Sequence, residues 1–399
     1  MSLLLDTLFA TIALGHLAVD VLNGQRAVLL AYLSVPLGLS NTALSLVSTI
    51  YVISGAMIQP VFGHLADRIG PRWLVAGGVL WMGVFFSLAV VTPGSLALVL
   101  LVLASLGSAA FHPAGAMQAT LRGRERFVGR ETTAVAYFFL FGQMGGFLGP
   151  LIGGPLLGLF GSVGLLGLTT PTLAVGMNAA WKLNDGRPGE APVSAKLSVR
   201  NLFKRALSMG GLAFVLLAAF QSWAQQNMFT FVPKYLSDLG QPPGVYGFAA
   251  ALFMGGTALG NLLGGSLADR FGRRRVAVLT LLSASAPLAL MPVVGWSAWL
   301  YLLIPVSGLL TGATHSIIVV LAQRKIPGGM ALASGVILGF MFSSGALGTL
   351  LTGYLADLRG LPVVFYLSAA TVLAAAGLAL RLKDDERTMG EEARMTNAE

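Results

Sequence analysis

Apolar stretches longer than about 18 residues, the length that crosses a hydrocarbon core roughly 30 Å thick, recur from one end of this sequence to the other. Charge is too scarce for any other solvent: 10% of the 399 residues are charged and 55% hydrophobic, which cannot cover the surface of a soluble domain of this length. Pro and Gly are frequent inside the stretches, as transmembrane helices tolerate better than soluble ones. The chain therefore reads as an all-α membrane protein. Spans are expected at 6–33, 41–66, 73–93, 95–120, 131–156, 160–183, 207–233, 244–268, 275–293, 296–321, 330–355 and 361–381.

The basic residues sort across these spans. Of 25 Lys and Arg, 22 fall in the loops after even-numbered spans and at the C-terminus, while Lys234 and Arg359 lie on the opposite side and Arg26 inside a span. An odd number of spans would scramble that sorting, so twelve are expected. By the positive-inside rule the basic side is cytoplasmic, with both termini there, in the cytoplasmic (inner) membrane of a bacterium. Met1–Asp6 runs straight into the first span without a basic n-region, so no cleavable signal is expected. There is no cysteine, which excludes disulfides and thiolate metal sites. The net charge of +9 is spread over short loops, so nucleic acid is not an expected partner.

The longest polar stretch, Asn184–Arg205, has turn chemistry at Asp185-Gly186-Arg187-Pro188-Gly189 and no apolar period. It divides the chain into an N-terminal six-helix bundle (1–183), a cytoplasmic linker (184–206), a C-terminal six-helix bundle (207–381) and a charged tail (382–399). The halves are repeats. Gly63-His-Leu-Ala-Asp-Arg-Ile-Gly-Pro-Arg-Trp73 matches Gly265-Ser-Leu-Ala-Asp-Arg-Phe-Gly-Arg-Arg-Arg275 at seven of eleven positions, offset by 202 residues. At that offset Asp20 lands within the polar run Gln221–Asn227, and His112 lands one residue from His315. Parallel repeats place a solute site between the halves near the bilayer midplane, related by a pseudo-two-fold axis.

These features resemble the major facilitator superfamily across essentially the whole chain, the Gly-x-Leu-Ala-Asp-Arg-x-Gly-x-Arg loop after spans 2 and 8 being the most specific. Further residues resemble one branch, the fosmidomycin-resistance family of efflux proteins. They are His16-x-x-x-Asp20, Gln59-Pro60-Val61-x-Gly63, Phe111-His112-Pro113, and the segment from Ile326-Pro-Gly-Gly-Met330 through Leu355-Ala-Asp357. The resemblance implies alternating access by two bundles, with a small organic solute and protons as partners, no cofactor, and a functional monomer. Arg26 and the cluster Gln225-Gln226-Asn227 depart from what every member would carry.

Asp20 sits near the middle of the first span, where a charge costs roughly 2.5–3.5 kcal/mol by insertion scales. His16 and Asn23 lie one turn to either side, on the same face. Such a carboxylate suits a group that loads and releases a proton; the alternative is a polar anchor for a neighbouring helix. His112 joins Asp20 and His16 as a proton-coupling candidate; its other reading is a hydrogen bond to a backbone carbonyl, some of which Pro113 frees. Arg26 lies about 9 Å further along the helix and about 120° round from Asp20. Three roles stand open to it: an ion pair across helices, a fixed cation for an anionic solute, or snorkelling to the interface.

Candidate solute ligands are Arg26, Asn23, Gln143, His315 and, in the seventh span, Gln221, Trp223, Gln225, Gln226 and Asn227. These last spread around all sides of the helix, so it cannot face lipid; cavity lining and interhelical bonding both fit. Gly145-x-x-x-Gly149-Pro150-x-x-Gly153-Gly154 resembles the superfamily's antiporter-type signature, with ordinary close packing as the alternative. Asp67, Arg68 and Arg72, with Asp269, Arg270 and Arg274, are expected to gate the cytoplasmic face.

The function expected is proton-coupled export of a small organic solute, drug-like or anionic, by antiport. The runner-up is a symporter or facilitator importing a nutrient. No Gly-x-x-x-x-Gly-Lys-Ser/Thr loop is present, so nucleotide hydrolysis does not supply the energy, and no HExxH or nucleophile–base pattern supports an enzyme.

Overall fold

The computed structural model describes residues 5–126, 131–183, 209–325 and 330–382, and among these every regular element is helical. The helices are α1 (Thr7–Ser34), α2 (Asn41–Met57), α3 (Gln59–Ile69), α4 (Arg72–Val91), α5 (Leu96–Arg126), α6 (Glu131–Phe160) and α7 (Leu166–Lys182, after a 3-10 turn). The second half contains α8 (Met209–Asp238), α9 (Pro243–Phe271), α10 (Arg273–Val294), α11 (Leu300–Lys325), α12 (Met330–Arg359) and α13 (Pro362–Ala379). The expected linker 184–206 and the tail after 382 lie outside the described residues, as do Ile326–Gly329.

Eleven spans among the described residues have the length and apolarity to cross a bilayer. The twelfth expected span is α8, which has 30 residues but is diluted by Gln221, Gln225, Gln226 and Asn227. One expected span, 41–66, is two helices: α2 stops at Met57 and α3 begins at Gln59. Pro60 is the reason, since it lacks an N–H and its ring crowds the carbonyl four residues back. Its counterpart α9 has no proline there and runs unbroken.

The repeat extends to backbone detail. The loop motif ends both α3 and α9 with a glycine at positive φ, Gly70 (86°) and Gly272 (90°), each donating its N–H 3.0 Å to the carbonyl of Ala66 or Ala268. Only glycine adopts that conformation without strain, so the motif's invariant spacing is a helix stop. The remaining positive-φ glycines among the described residues pair the same way: Gly38 with Gly240, Gly94 with Gly295, Gly161 with Gly360.

Between the halves, α6 packs on α9 and α2 on α12, an exchange of second and fifth spans that a two-fold relation requires. Gly154 and Gly247 bring α6 and α9 to backbone contact: a Cβ on Gly247 would lie 2.7 Å from the Gly154 Cα. On the other flank Thr49 Oγ1 donates to the Ala346 carbonyl (2.8 Å), and Asp357 caps the start of α2. These approaches use the C-terminal parts of α6 and α12 and the N-terminal parts of α2 and α9, all away from the basic loops. Towards the basic loops, Gly335 and Gly339 of α12 have open space where a Cβ would project. The halves thus pack on one another at the end away from the basic loops, and the cleft that parallel repeats place between them lies towards the basic end.

Candidate functional site

Helix α1 places His16, Asp20 and Asn23 on one face, and the structure brings His112 of α5 to them. His16 Nε2 lies 3.2 Å from Asp20 Oδ2, and His112 Nε2 lies 3.5 Å from Asp20 Oδ1. Asn23 Nδ2 donates to Asp20 Oδ1 (2.8 Å) and to Ser108 Oγ (3.0 Å), while the Tyr51 hydroxyl of α2 donates to Asn23 Oδ1 (2.6 Å). His16 is 3% exposed in its side chain, Asp20 21% and His112 23%. A carboxylate cannot present that surface to lipid, so it faces the cleft.

The proton inventory follows from the far side of each ring. His16 Nδ1 lies 2.7 Å from the Phe138 carbonyl and His112 Nδ1 2.8 Å from the Ser108 carbonyl. A carbonyl only accepts, so both Nδ1 atoms carry hydrogen and both Nε2 atoms are aimed at Asp20. Each Nε2–carboxylate contact then needs a proton between its atoms. With none, the two Nε2 lone pairs would face the two carboxylate oxygens at a net charge of −1; one proton bridges one contact and makes the cluster neutral, and a second bridges the other and makes it +1. These three residues, with donor atoms within 4.8 Å of one another, are also the group among the described residues with the donor set and spacing for a metal ion. The His16 contact lies at the upper edge of hydrogen-bond range and the His112 contact just beyond it.

The cluster rests on an aromatic floor and a bare backbone. His16 stacks on Phe138 with centroids 4.0 Å apart and meets Phe111 at 5.7 Å. Gly142 of α6 faces it directly: a Cβ there would fall on His16 Nε2 and 2.7 Å from Asp20 Oδ2. The expected glycine pattern has the same function further along. Cβ atoms on Gly145, Gly149 and Gly153 would collide with Leu17, Val21 and Gln25 of α1. Gly154 instead meets α9, where a Cβ on Gly247 would also lie 2.6 Å from the Pro150 carbonyl oxygen. So α6 is bare on two faces, one against α1 and one across to the other half.

Arg26 is 4% exposed and forms no hydrogen bond or ion pair with the described residues; its Nε is buried without an acceptor. Its Cζ lies over the Tyr51 ring (4.5 Å) and the Phe229 ring of α8 (5.0 Å), so it bridges the two halves. A desolvated cation–π contact contributes about 2 kcal/mol, whereas burying a lone ion costs several. Two rings do not settle that balance. Of the three roles open to it, the ion pair across helices is not formed and burial excludes snorkelling in this state.

In the second half the amides divide. Gln221 Nε2 donates to the Thr311 carbonyl (2.9 Å), Trp223 Nε1 to Thr352 Oγ1 (2.8 Å), and Asn227 Nδ2 to Ser368 Oγ (3.1 Å). These three hold α8 to its neighbours α11, α12 and α13 rather than a solute. Gln225 and Gln226 are half-buried, and Gln225 Nε2 has no partner among the described residues. Gln143 on α6 is also half-buried. His315 stays apart from the Asp20 cluster, its Nδ1 buried without a partner. At the basic end the gating candidates are spread. Arg72 donates to the Ala180 carbonyl (2.7 Å) and stacks on Trp73; Asp269 is 76% exposed in its side chain and pairs within its own half with Arg273 (3.6 Å). Arg270 lies over Phe271, and Arg68 and Arg274 are exposed. The side chain of Asp67 lies outside the described residues.

Sequence reasoning missed Tyr51, Ser108, Phe229, Gly142 and the Phe138 carbonyl. Of these Gly142 had a signal, since it extends the expected glycine series by one three-residue step.

The family profile described as Major Facilitator Superfamily matches residues 12–242 and 214–397. A fosmidomycin resistance protein of Escherichia coli (strain K12) is 24% identical over 382 residues, covering 91% of this chain and 89% of its own. Among solved structures, a bacterial homolog to the human lysosomal transporter Spinster, inward-facing and occupied, superposes with a TM-score of 0.77 at 14% identity, covering 95% of this chain and 97% of its own. The nucleoside transporter NupG also reaches 0.77, at 15% identity, covering 94% and 100%.

Proposed function

We propose that this chain, which belongs to the major facilitator superfamily, is a proton-coupled antiporter that exports a small organic solute across a bacterial cytoplasmic membrane. The observation that carries the reading is the Asp20 carboxylate set between two imidazole Nε2 atoms at the wall of the cleft. A group that must hold a proton to stay assembled is a loading site whose occupancy can be coupled to the cleft.

By the positive-inside rule the basic end is cytoplasmic, both termini lie there, and the described state is inward-facing. The cycle then runs as follows. In the inward-facing state the cluster yields a proton to the cytoplasm while a solute enters the cleft. Closure at the basic end, where Asp67, Arg68, Arg72, Asp269, Arg270 and Arg274 sit, and opening at the other end release the solute. A proton taken up from outside then restores His16–Asp20–His112. Gln143, Gln225, Gln226 and Arg26 contact the solute; Gly145, Gly149, Pro150, Gly153 and Gly154 let α6 shift between α1 and α9. The monomer is the transporting unit.

Proteoliposomes test this directly, and fosmidomycin, from the name of the Escherichia coli relative, is the first solute to use. Antiport accumulates solute in vesicles that are acidic inside, whichever way the protein is inserted. Accumulation in vesicles alkaline inside would establish symport instead. Equal flux with and without a gradient would refute coupling.

A further inference from the structure

We propose that Arg26 is the binding point for an oxyanion group of the solute, a carboxylate, phosphonate or phosphate, and that the site selects anionic solutes over neutral ones. This deepens the exporter reading by naming its solute class, while the charge argument stands on the structure alone. The guanidinium is buried, yet no carboxylate among the described residues pairs with it. Asp20, the acidic group on the same helix, is engaged by two imidazoles and Asn23. The Tyr51 and Phe229 rings engage the cation through their π faces and offer no acceptor to its N–H hydrogens. What the site lacks is a planar or tetrahedral oxyanion that accepts two parallel N–H bonds, the geometry for which arginine is suited and lysine is not.

The position fits a transported ligand. Arg26 is held between α1 and α2 of one half and α8 of the other, so alternation of the halves changes its surroundings. Tyr51 touches the cation with its ring and Asn23 with its hydroxyl, and Asn23 in turn holds Asp20. One side chain therefore supports both the anion site and the proton site. Filling the first moves the support of the second.

The test is thermal unfolding of the purified full-length protein in a neutral detergent, where no lipid headgroup supplies the anion. Benzylphosphonate and phenylacetate are the probes, with phenylacetamide as the neutral counterpart. Wild type should gain about 2 °C at ten times the Kd of either anion and nothing from the amide. Arg26→Met should match or exceed the wild-type midpoint without ligand, since it removes an unpaired buried charge, and should show no anion shift. Asp20→Asn should still shift with either anion, by an amount altered through the shared Tyr51–Asn23 support, which separates the anion site from the proton site. No anion-dependent shift in wild type, or a shift that survives Arg26→Met, would overturn the proposal. Failure of gradient-driven flux with the shift intact would remove the exporter reading and leave the anion site standing.

Discussion

Replacing Asp357 with Ala should open the end of the molecule that is closed here. Its carboxylate accepts from the Asn41 N–H (2.8 Å), the Thr42 N–H (2.9 Å) and Thr42 Oγ1 (2.5 Å), so a residue of α12 caps the first turn of α2 in the other half. The bonds are exposed, which puts each near the lower end of the usual 0.5–1.5 kcal/mol, and the charge at a helix N-terminus adds about 0.3–1 kcal/mol. Together they contribute about 2–3 kcal/mol, roughly 30- to 150-fold in an equilibrium constant. Because the cap joins the halves only while this end is closed, its loss shifts the conformational equilibrium more than the folding one. An opposite state populated at about 1% would rise to about a quarter or more. The assay is spin-label distance measurement between cysteines at Val35 and Leu239, exposed positions in different halves at this end, in a chain with no native cysteine. The Asp357→Ala distribution should gain a longer component, and Asp357→Asn an intermediate one. Superimposable distributions for folded wild type and Asp357→Ala would refute the argument.

Asp20→Asn cannot release a proton, so gradient-driven accumulation should collapse while solute exchange survives; wild-type accumulation by this variant would move the proton site elsewhere. Gly149→Ala should lower the unfolding midpoint and the yield in the membrane, because its Cβ meets the Val21 carbonyl and lies 3.1 Å from the Gln25 nitrogen, backbone atoms that cannot turn aside, a strain of about 1–3 kcal/mol. Asp67→Asn and Asp269→Asn should leave the protein inserted but slow alternation; unchanged accessibility of engineered cysteines at both ends would count against gating. Trp223→Phe removes one part-buried hydrogen bond and should cost about 1 kcal/mol of stability without altering solute selectivity, measured by denaturation and flux.

The sequence by itself determined the membrane class, the helix ends to within about six residues, the break before Gln59 excepted, and the repeat. Those properties are local: span length, turn residues and the glycine stop of the loop motif are written along one stretch of chain. It also put His16, Asp20 and Asn23 on one face, because helical periodicity alone fixes that. What only the tertiary structure decided is which groups meet across helices. Helical spacing could not say that His112, 92 positions from Asp20, would join His16 at its carboxylate and His315 would not. Nor could it show Gln221, Trp223 and Asn227 bonded inside their own half while Gln225 is left without a partner. Arg26 is the sharpest case. Its three possible roles differ only in what stands opposite the guanidinium, and that is set by Tyr51 and Phe229 on two other helices, through packing that no one-dimensional pattern encodes.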